Sequence, residues 1–502
     1  MFDILIQGVD HFFEWSVFLS ITFGCAAGLL VGVLPGLGPL MGIILMLPVA
    51  YHLPPVAGMG LLIAIYIGGS CGGAISAILL RIPGTPLAAA TLLDGYPMAK
   101  SGRAAQAIGL AITASAIGGM IGGLILVFFA PLLAELALNF GPPEYFALAI
   151  TGLISIAVVS AESTIRGLMS GCLGFLLATV GTDQLSMAER FTFGSSELLG
   201  GIHVVALVVG LFAISEALFQ IRGGHLNKSP EVDTVKLSPE ALLAALKHKV
   251  NLVRSSLIGT FFGTLPGAGG IISAFTSYAI ARSVAKNRDE FGKGAEGGVV
   301  ATEASNNACC GGALIPTFAL AVPGDASCAV LMSALMLLGL QPGPQLFALN
   351  GDVVGGVFLS YLFSNVALLI LGVLMVPLFV SVLKVKKSIL VPIIVMLSIL
   401  GTYALQSSMF DLWVMLAFGF IGYMMRLAKF PLAPIVIGFI LGPIAEGNFR
   451  RSLLISQDGY SIFFERPIGT TILAINAVVI VASVLYAAYK SQGQRKVISE
   501  SC

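Results

Sequence analysis

The chain contains 502 residues, of which 57% are hydrophobic and only 10% are charged, and its formal net charge is +1. Soluble domains carry about 25% charged residues. The composition therefore excludes an ordinary soluble protein and indicates an integral membrane protein, with the lipid bilayer as its surroundings. A near-neutral chain also gives no reason to expect nucleic acid as a partner.

Apolar runs recur along the whole sequence. Crossing the hydrocarbon core takes about 17–25 apolar residues. The clearest such runs, in chain order, are 104–133, 143–160, 200–221, 352–383, 388–406 and 468–489. The longest polar stretches between them are short connectors, at 222–251, 283–300 and 446–467. We therefore predict an all-α polytopic membrane protein without a soluble domain of normal size.

Five short motifs occur twice in the same order, at offsets of 230 to 246 residues. They are GVLPGLG (32–38) with GTLPGAG (263–269), GGA at 72 with GGA at 311, Pro83-Gly84 with Pro323-Gly324, APL (130–132) with VPL (376–378), and GLFAISE (210–216) with LGPIAE (441–446). Ordered repetition of this kind predicts two structural repeats. The predicted domains are an N-terminal interfacial segment (1–14), repeat 1 (15–221), a cytoplasmic connector (222–249), repeat 2 (250–448), and a loop with a C-terminal transmembrane helix (449–502).

Loop charges predict that the two repeats have opposite orientations. Lys and Arg favour the cytoplasmic side of a membrane. The loop at 48–58 has neither residue, whereas its counterpart at 282–298 has four. After the Pro-Gly motif the bias reverses, because 81–103 carries three and 324–352 carries none. The repeats are therefore predicted to be inverted, with a cytoplasmic C-terminus; Arg450 and Arg451 are the exception to the pattern.

Gly and Pro cluster at matching places in both repeats, which predicts helices that are broken or re-entrant within the membrane. Non-helical backbone at membrane depth is tolerated only where it is buried in protein or lines a cavity. Inverted repeats with broken helices are typical of secondary transporters, whose helix N-termini face anionic substrates. The alternative is that these residues only permit close helix packing, which we favour for GGMIGG at 118–123.

For the paired motifs we favour a substrate-binding site. Its predicted backbone and side-chain contributors are Pro35, Gly36, Gly38, Ser70, Gly72, Gly73, Pro83, Gly84, Thr85, Pro266, Gly267, Gly269, Asn306, Asn307, Gly311, Gly312, Pro323 and Gly324. The two asparagines either hydrogen-bond a ligand or join helices, since unpaired amides are costly in lipid. Asp325 is predicted to couple transport to Na⁺ or H⁺, because an intramembrane carboxylate is a functional candidate; the alternative is that it caps the following helix.

Several longer segments resemble one family of membrane transporters. They are GVLPGLGPLMG (32–42), GGAISAILLRIPGTP (72–86), LLDGYPMAKSGRAAQAIG (92–109), GTLPGAGG (263–270), ASNNACCGGALIPTFALAVPG (304–324) and FGFIGYMMRLAKFPLAPIVIGFILGPIAE (418–446). Together they make the chain similar to the large membrane subunit of the tripartite tricarboxylate transporter family. The resemblance covers nearly the whole sequence.

The resemblance implies a bacterial inner-membrane carrier. Such a carrier works with a small membrane subunit and a periplasmic solute-binding protein, and it takes up di- and tricarboxylates or related organic anions. The driving force is a Na⁺ or proton gradient rather than ATP, so no bound cofactor is expected. Nucleotide-binding, zinc-protease and hydrolase motifs are absent from the sequence, and its seven Cys and five His show no metal-ligand spacing. We therefore expect no metal site and no enzymatic activity. The competing interpretation is a channel-like or structural subunit of an uptake complex.

Overall fold

The structure is a computed structural model, and it describes residues 2–34, 37–159, 164–183, 185–222, 237, 239–266, 269–383, 387–456, 459–478 and 480. The chain divides into two compact units. Unit 1 comprises Met1–Leu138 and Val205–Tyr423, and unit 2 comprises Asn139–Val204 and Met424–Cys502. The repeat boundaries predicted above are a different division of the chain, and they stay a prediction.

Unit 1 is built from helices. Its first part contains α1 (Phe2–Phe12), α2 (Trp15–Val33), α3 (Gly38–Tyr51), α4 (Pro55–Leu80), a 3₁₀ helix (Pro86–Ala89), α5 (Leu92–Met98) and α6 (Ala104–Ala137). Two helices of unit 2, α7 (Pro142–Val159) and α8 (Thr164–Ala178), follow in the sequence. The chain then returns to unit 1 with α9 (Val204–Val209), α10 (Ser215–Arg222), α11 (Pro239–Leu243), α12 (Lys249–Gly263), α13 (Gly269–Val284), α14 (Glu296–Leu320), α15 (Ala326–Leu337), α16 (Pro344–Leu349), α17 (Gly351–Leu374), α18 (Val376–Leu383), α19 (Lys387–Gln406) and α20 (Met409–Leu427).

Within the described residues, six helical segments are long and apolar enough to cross a membrane. They are Trp15–Val33, Pro55–Leu80, Leu92–Ala137, Val204–Arg222, Gly351–Leu374 and Met409–Leu427. The prediction of an all-α polytopic membrane protein is confirmed. The predicted run 352–383 is divided into α17 and α18 at Met375, and the run 468–489 lies only partly within the described residues.

Two long helices, α4 and α14, form the centre of unit 1. Nearly every residue of α4 from Val56 to Ile78 is buried, as is nearly every residue of α14 from Gly298 to Ala319. Helix α2 packs on α4, and helices α6 and α12 pack on α14. Helix α14 is not among the six most apolar segments, but 25 residues span about 37 Å, which exceeds the hydrocarbon thickness of about 30 Å. We therefore treat α14 as a membrane-spanning helix surrounded by protein.

The expectation that the Gly-Gly pairs interrupt their helices is wrong. Helix α4 runs without interruption through Gly72 and Gly73, and α14 runs through Gly311, Gly312 and Pro316. Both helices end only at the turn that contains Pro-Gly. Glycine costs a helix about 1 kcal/mol relative to alanine, and the packing described below offsets this cost.

Unit 2 contains five α-helices and a short hairpin among its described residues. Besides α7 and α8 these are β1 (Gly181–Thr182) paired antiparallel with β2 (Glu189–Arg190), α21 (Ala433–Ile455), α22 (Ile462–Glu465) and an apolar helix at Pro467–Val478. Asp183, in the hairpin, accepts hydrogen bonds from Arg450 at 2.7 and 2.8 Å and forms an ion pair with Arg190 at 3.2 Å. Hydrogen bonds from Arg450 and Ser186 hold the pKa of Asp183 below its ordinary value.

Candidate functional site

The ends of α4 and α14 have the same local structure. Each helix stops at a residue in the left-handed conformation, Arg81 with φ 58° and Ala321 with φ 54°. These conformations are unfavourable for non-glycine residues, and they turn the chain into the Pro-Gly dipeptide. The two stopping residues are 240 positions apart, which is the offset of the Pro-Gly motifs themselves.

A capping side chain follows each Pro-Gly dipeptide. Thr85 Oγ1 accepts a hydrogen bond from the backbone N–H of Ala88 at 3.3 Å, and Asp325 Oδ1 accepts one from Cys328 at 2.7 Å. Thr85 starts the 3₁₀ helix Pro86–Ala89, and Asp325 starts α15. Threonine and aspartate are both good N-caps because their side-chain oxygens satisfy free N–H groups.

The Pro-Gly turn folds back onto the helix that precedes it. A Cβ atom on Gly84 would lie 2.7 Å from the Cα of Gly73, and one on Gly324 would lie 2.6 Å from the Cα of Ala313. The backbone N–H of Gly84 donates to the carbonyl of Gly73 at 3.1 Å. Glycine is required in these turns because any side chain would meet backbone atoms.

Small residues also bring the central helices into backbone contact with their neighbours. A Cβ on Gly32 of α2 would lie 2.3 Å from the carbonyl oxygen of Gly69, and one on Gly263 of α12 would lie 2.4 Å from that of Cys309. The α2–α4 and α12–α14 pairs therefore use equivalent positions of the two predicted repeats. Small residues permit this close approach of membrane helices.

The contacts of the Gly-Gly pairs correct the sequence alignment by one residue. Gly72 packs against the carbonyl oxygen of Leu29, and Gly312 packs against that of Thr260. Gly72 thus corresponds to Gly312, not to Gly311. The sequence comparison misaligned them because both copies contain the letters GGA.

Three of the four polar residues predicted for the substrate site, all except Thr85, are buried in helix interfaces. Asn306 Nδ2 donates to the backbone oxygen of Ser70 at 3.2 Å, which joins α14 to α4. Asn307 Nδ2 donates to the backbone oxygen of Ser115 at 3.1 Å, which joins α14 to α6. Ser70 Oγ donates to the carbonyl of Tyr66 within its own helix at 2.8 Å. Asn306 Oδ1 has no hydrogen-bond partner among the described residues and is the acceptor that this cluster leaves available.

Asp325 has a second partner besides its cap. The hydroxyl of Tyr66, on α4, donates to Asp325 Oδ2 at 2.5 Å. The carboxylate therefore connects the start of α15 to the middle of α4. The predicted capping geometry is present, and the predicted coupling role is compatible with it because one carboxylate oxygen faces another helix.

The sequence comparisons identify the family. Residues 18–437 match the family model described as "Tripartite tricarboxylate transporter TctA family". The chain belongs to this TctA family. It is similar to an uncharacterized 52.8 kDa protein in the TAR-I ttuC' 3'region of Agrobacterium vitis, with 34% identity over 464 residues that cover 92% of each chain. An uncharacterized protein in the TAR-II ttuC' 3'region of the same organism is 31% identical over 227 residues, which cover 45% of this chain and 94% of the relative.

Membership of the TctA family makes the chain the membrane component of a transporter that contains further subunits. Family membership and the long apolar helices together make the chain a multi-pass membrane protein. The predicted site residues in this component fall into three groups. Pro35, Gly36 and Gly267 lie outside the described residues. The turn and helix positions 70–85 and 306–325 are placed as above.

The third group belongs to the PGLG (35–38) and PGAG (266–269) motifs, which lead into α3 and α13. Gly38 begins α3 and lies beside Thr85, because a Cβ atom added to Gly38 would be 3.6 Å from Thr85 Cγ2. Gly269 begins α13 and follows Pro266 in the sequence. Gly270, next to it, lies against Leu87 of the 3₁₀ helix. In this TctA-family chain the segment 84–89 thus contacts motifs from both predicted repeats.

The GGMIGG run is a packing element, as predicted. A Cβ on Gly118 or Gly122 of α6 would lie 2.2 or 2.6 Å from a carbonyl oxygen of α14. Gly311 of α14 packs on Gly122 from the other side of the interface.

The sequence interpretation missed Glu303. This carboxyl group lies two turns into α14 with no exposed surface, and it contacts Thr91, Ser115 and Asn306. The signal was present as the single charged residue of the segment VVATEASNN, three residues before the first asparagine.

Proposed function

We propose that this chain is the subunit through which di- or tricarboxylates, or related organic anions, are taken up across the bacterial inner membrane. The uptake is driven by a Na⁺ or proton gradient, and a periplasmic solute-binding protein delivers the substrate. A small membrane subunit completes the complex, and the C-terminus is cytoplasmic. The proposal rests on TctA-family membership and on one structural observation, the position of Asp325 at the start of α15.

The position of Asp325 gives a physical reason for coupling. The N-terminus of a helix such as α15 attracts anions through its free N–H groups and its dipole. Asp325 already presents a negative oxygen there, so a substrate carboxylate would meet a like charge. A Na⁺ ion or a proton bound at Asp325 removes that repulsion. Anion and cation then bind better together than either does alone, which is the requirement for coupled transport.

The site is expected to lie where the capped turns, Asn306 and the PGLG (35–38) and PGAG (266–269) motifs come together. Asn306 Oδ1 and the backbone of the two Pro-Gly turns supply the polar groups. The asparagine amides already join helices in this conformation, so binding a substrate through them requires those helix contacts to change. Such exchange of contacts is consistent with a carrier that alternates between two states.

The test is uptake into proteoliposomes that contain the chain, the small membrane subunit and the solute-binding protein. Radiolabelled succinate, malate and citrate are supplied with an imposed Na⁺ gradient, an imposed pH gradient or neither. We expect accumulation of at least one acid against its gradient, and only with an ion gradient. Leaving out the solute-binding protein should remove most of the uptake. Downhill flux of the acids without ion dependence would show that the chain is a channel. Uptake that persists when this chain is left out would show that it is only a structural subunit.

Asp325→Asn separates coupling from capping, because asparagine caps helices as well as aspartate does. The variant should fold and bind partners normally but lose its dependence on the ion gradient. Asp352→Asn is the matched control, since Asp352 is a partly exposed carboxylate at the start of α17 whose partner is His11 at 3.1 Å. Unchanged ion dependence in Asp325→Asn would restrict Asp325 to a capping role.

A further inference from the structure

A row of four oxygen-bearing groups crosses the interface between α5 and α14. Glu303 Oε1 lies 2.5 Å from Thr91 Oγ1, and Thr91 Oγ1 lies 3.0 Å from Thr302 Oγ1. Thr302 Oγ1 in turn lies 3.0 Å from the backbone oxygen of Val299 and 3.2 Å from that of Gly298. All three side chains are buried. The row contains three consecutive contacts at hydrogen-bond distance, and each one is a hydrogen bond only if a proton lies between its two oxygens.

An ionised Glu303 leaves this row one proton short. The two threonine hydroxyls supply two protons, and an ionised carboxylate and a carbonyl supply none. If Thr302 donates to the backbone and Thr91 donates to Glu303, no proton lies between the two threonines. If Thr302 donates to Thr91 instead, none lies between Thr302 and the backbone oxygens. A proton on Glu303 Oε1 completes the row, because Glu303 then donates to Thr91, Thr91 to Thr302, and Thr302 to the backbone.

The contacts of the other carboxyl oxygen, Glu303 Oε2, also fit a protonated Glu303. Ser115 Oγ donates to Glu303 Oε2 at 2.9 Å, and Asn306 Nδ2 lies 3.5 Å from it. Glu303 Oε2 is thus the carbonyl oxygen of a carboxylic acid, with donors directed at it. Both oxygens of the neutral acid are satisfied.

No positive charge balances Glu303. Within the part of the chain that the structure describes, its polar contacts are only to Thr91, Ser115 and Asn306, and none is to Lys, Arg or His. A buried carboxylate without a cationic partner is so costly that the group takes up a proton instead.

The titratable groups on the helices around α14 do not change this balance. Cys71 of α4 faces Glu303, and a thiol cannot supply a positive charge. Asp94 of α5 is engaged by the backbone N–H groups of Gly292, Gly294 and Ala295, and Arg254 of α12 donates to Asn251. His248 lies 3.4 Å from Glu296 at the start of α14. The other titratable residues on these packed elements and on α14 itself are Tyr66, Tyr96, Glu135, Lys247, Lys249, Tyr278, Arg282, Cys309, Cys310 and Cys328.

We propose that Glu303 is a proton-binding site of this chain and carries its proton in this conformation. The O–H bond of the acid points to Thr91. When α14 separates from α5 and α6, water reaches the group, and Glu303–COOH releases H⁺ to leave Glu303–COO⁻. If the proposed function holds, this proton is a coupling ion, and Glu303 is a second coupling site besides Asp325.

The protonation is tested without any substrate. The purified full-length chain in lipid vesicles is examined by infrared spectroscopy for the carbonyl stretching band of a protonated carboxylic acid at neutral pH. We expect a band that is lost in Glu303→Gln and kept in Glu135→Gln, a control at an exposed position of α6. A spectrum that Glu303→Gln leaves unchanged would overturn the proposal.

A second variant protects the test if Glu303→Gln fails to fold. Ser115→Ala removes the hydroxyl that donates to Glu303 Oε2 and leaves the acid in place. The carbonyl band should move to higher frequency, because its oxygen has lost a hydrogen bond. A band that does not move assigns the protonated acid to another residue and contradicts the proposal.

The coupling role is tested separately with the three-component proteoliposomes and the radiolabelled acids. Glu303→Gln permanently mimics the protonated glutamic acid side chain. The variant should still exchange labelled for unlabelled substrate, but its substrate accumulation driven by a pH gradient should be at least about tenfold lower than that of the wild type. Full pH-driven accumulation in the variant refutes coupling through Glu303. If the wild-type chain transports none of the acids, the proposed function fails, and the infrared result still decides the protonation.

Discussion

The hydrogen bond from Tyr66 to Asp325 provides a quantitative test of what holds α15 to α4. Tyr66→Phe removes the hydroxyl and leaves Asp325 Oδ2 without this donor. A hydrogen bond to a charged group contributes about 1.5–3 kcal/mol. Since about 1.4 kcal/mol corresponds to a factor of ten, opening of the start of α15 should become roughly 10- to 150-fold more frequent.

Cys328 reports this opening. Its side chain has no exposed surface, and its backbone N–H donates to Asp325. The rate at which a thiol reagent modifies Cys328, followed by mass spectrometry of its peptide, therefore measures how often the start of α15 opens. The rate in Tyr66→Phe should rise by the factor given above.

Tyr361→Phe is the matched control. Tyr361 is also a fully buried tyrosine of unit 1, but its hydroxyl has no hydrogen-bond partner among the described residues. Removing an unsatisfied buried hydroxyl costs little, so the Cys328 labelling rate should change by less than about twofold. Equal rates in the two variants would show that the Tyr66–Asp325 bond does not stabilise this helix end.

Three further predictions concern topology, packing and pH. A cysteine at Arg288 should be labelled only from the cytoplasm and one at Leu53 only from outside; labelling of both from one side would refute the inversion of the repeats. Gly32→Ala should destabilise the fold by about 1–3 kcal/mol through overpacking against α4, measured by thermal unfolding in detergent, whereas Gly447→Ala, at a position with open space around it, should be neutral or stabilising. The lowered pKa of Asp183 means that its stabilising contribution is complete above its unfolded pKa of about 3.9 and is lost as the pH falls through the lower folded value. The difference in unfolding temperature between wild type and Asp183→Asn should therefore be constant above about pH 5 and shrink below about pH 4; a difference that instead grows in acid would contradict this sign.

The sequence was most informative where one short segment decides the structure. The Pro-Gly turns, the cap at Asp325 and the apolar spans depend on neighbouring residues, and all were visible as local patterns. The Gly-Gly pairs were misinterpreted as breaks because glycine's low helix propensity was weighed without the neighbouring helix. In the structure, Gly72 and Gly312 lie against backbone oxygens of other helices, and this packing outweighs propensity.

Contacts between distant segments could not be predicted from the sequence. Tyr66 and Asp325 are 259 residues apart, and Thr91 and Glu303 are 212 residues apart. No local pattern indicates that a particular hydroxyl will face a particular carboxylate, because that depends on how α4, α5 and α14 pack. Glu303 could have been flagged as an intramembrane acid, but its protonation follows only from the geometry of its partners.

The polar centre of α14 has a consequence for how the protein is made. An acidic residue at the centre of a lone helix costs about 2.5–3.5 kcal/mol on insertion into the bilayer, and Asn306 and Asn307 add further unpaired groups beside Glu303. Their partners on α4, α5 and α6 are all encoded earlier in the chain. The ribosome therefore delivers α14 to a membrane that already contains the residues it needs. We therefore expect α4, α5 and α6 to provide the surface on which α14 enters the membrane during synthesis, so that a chain without them would fail at insertion rather than at transport.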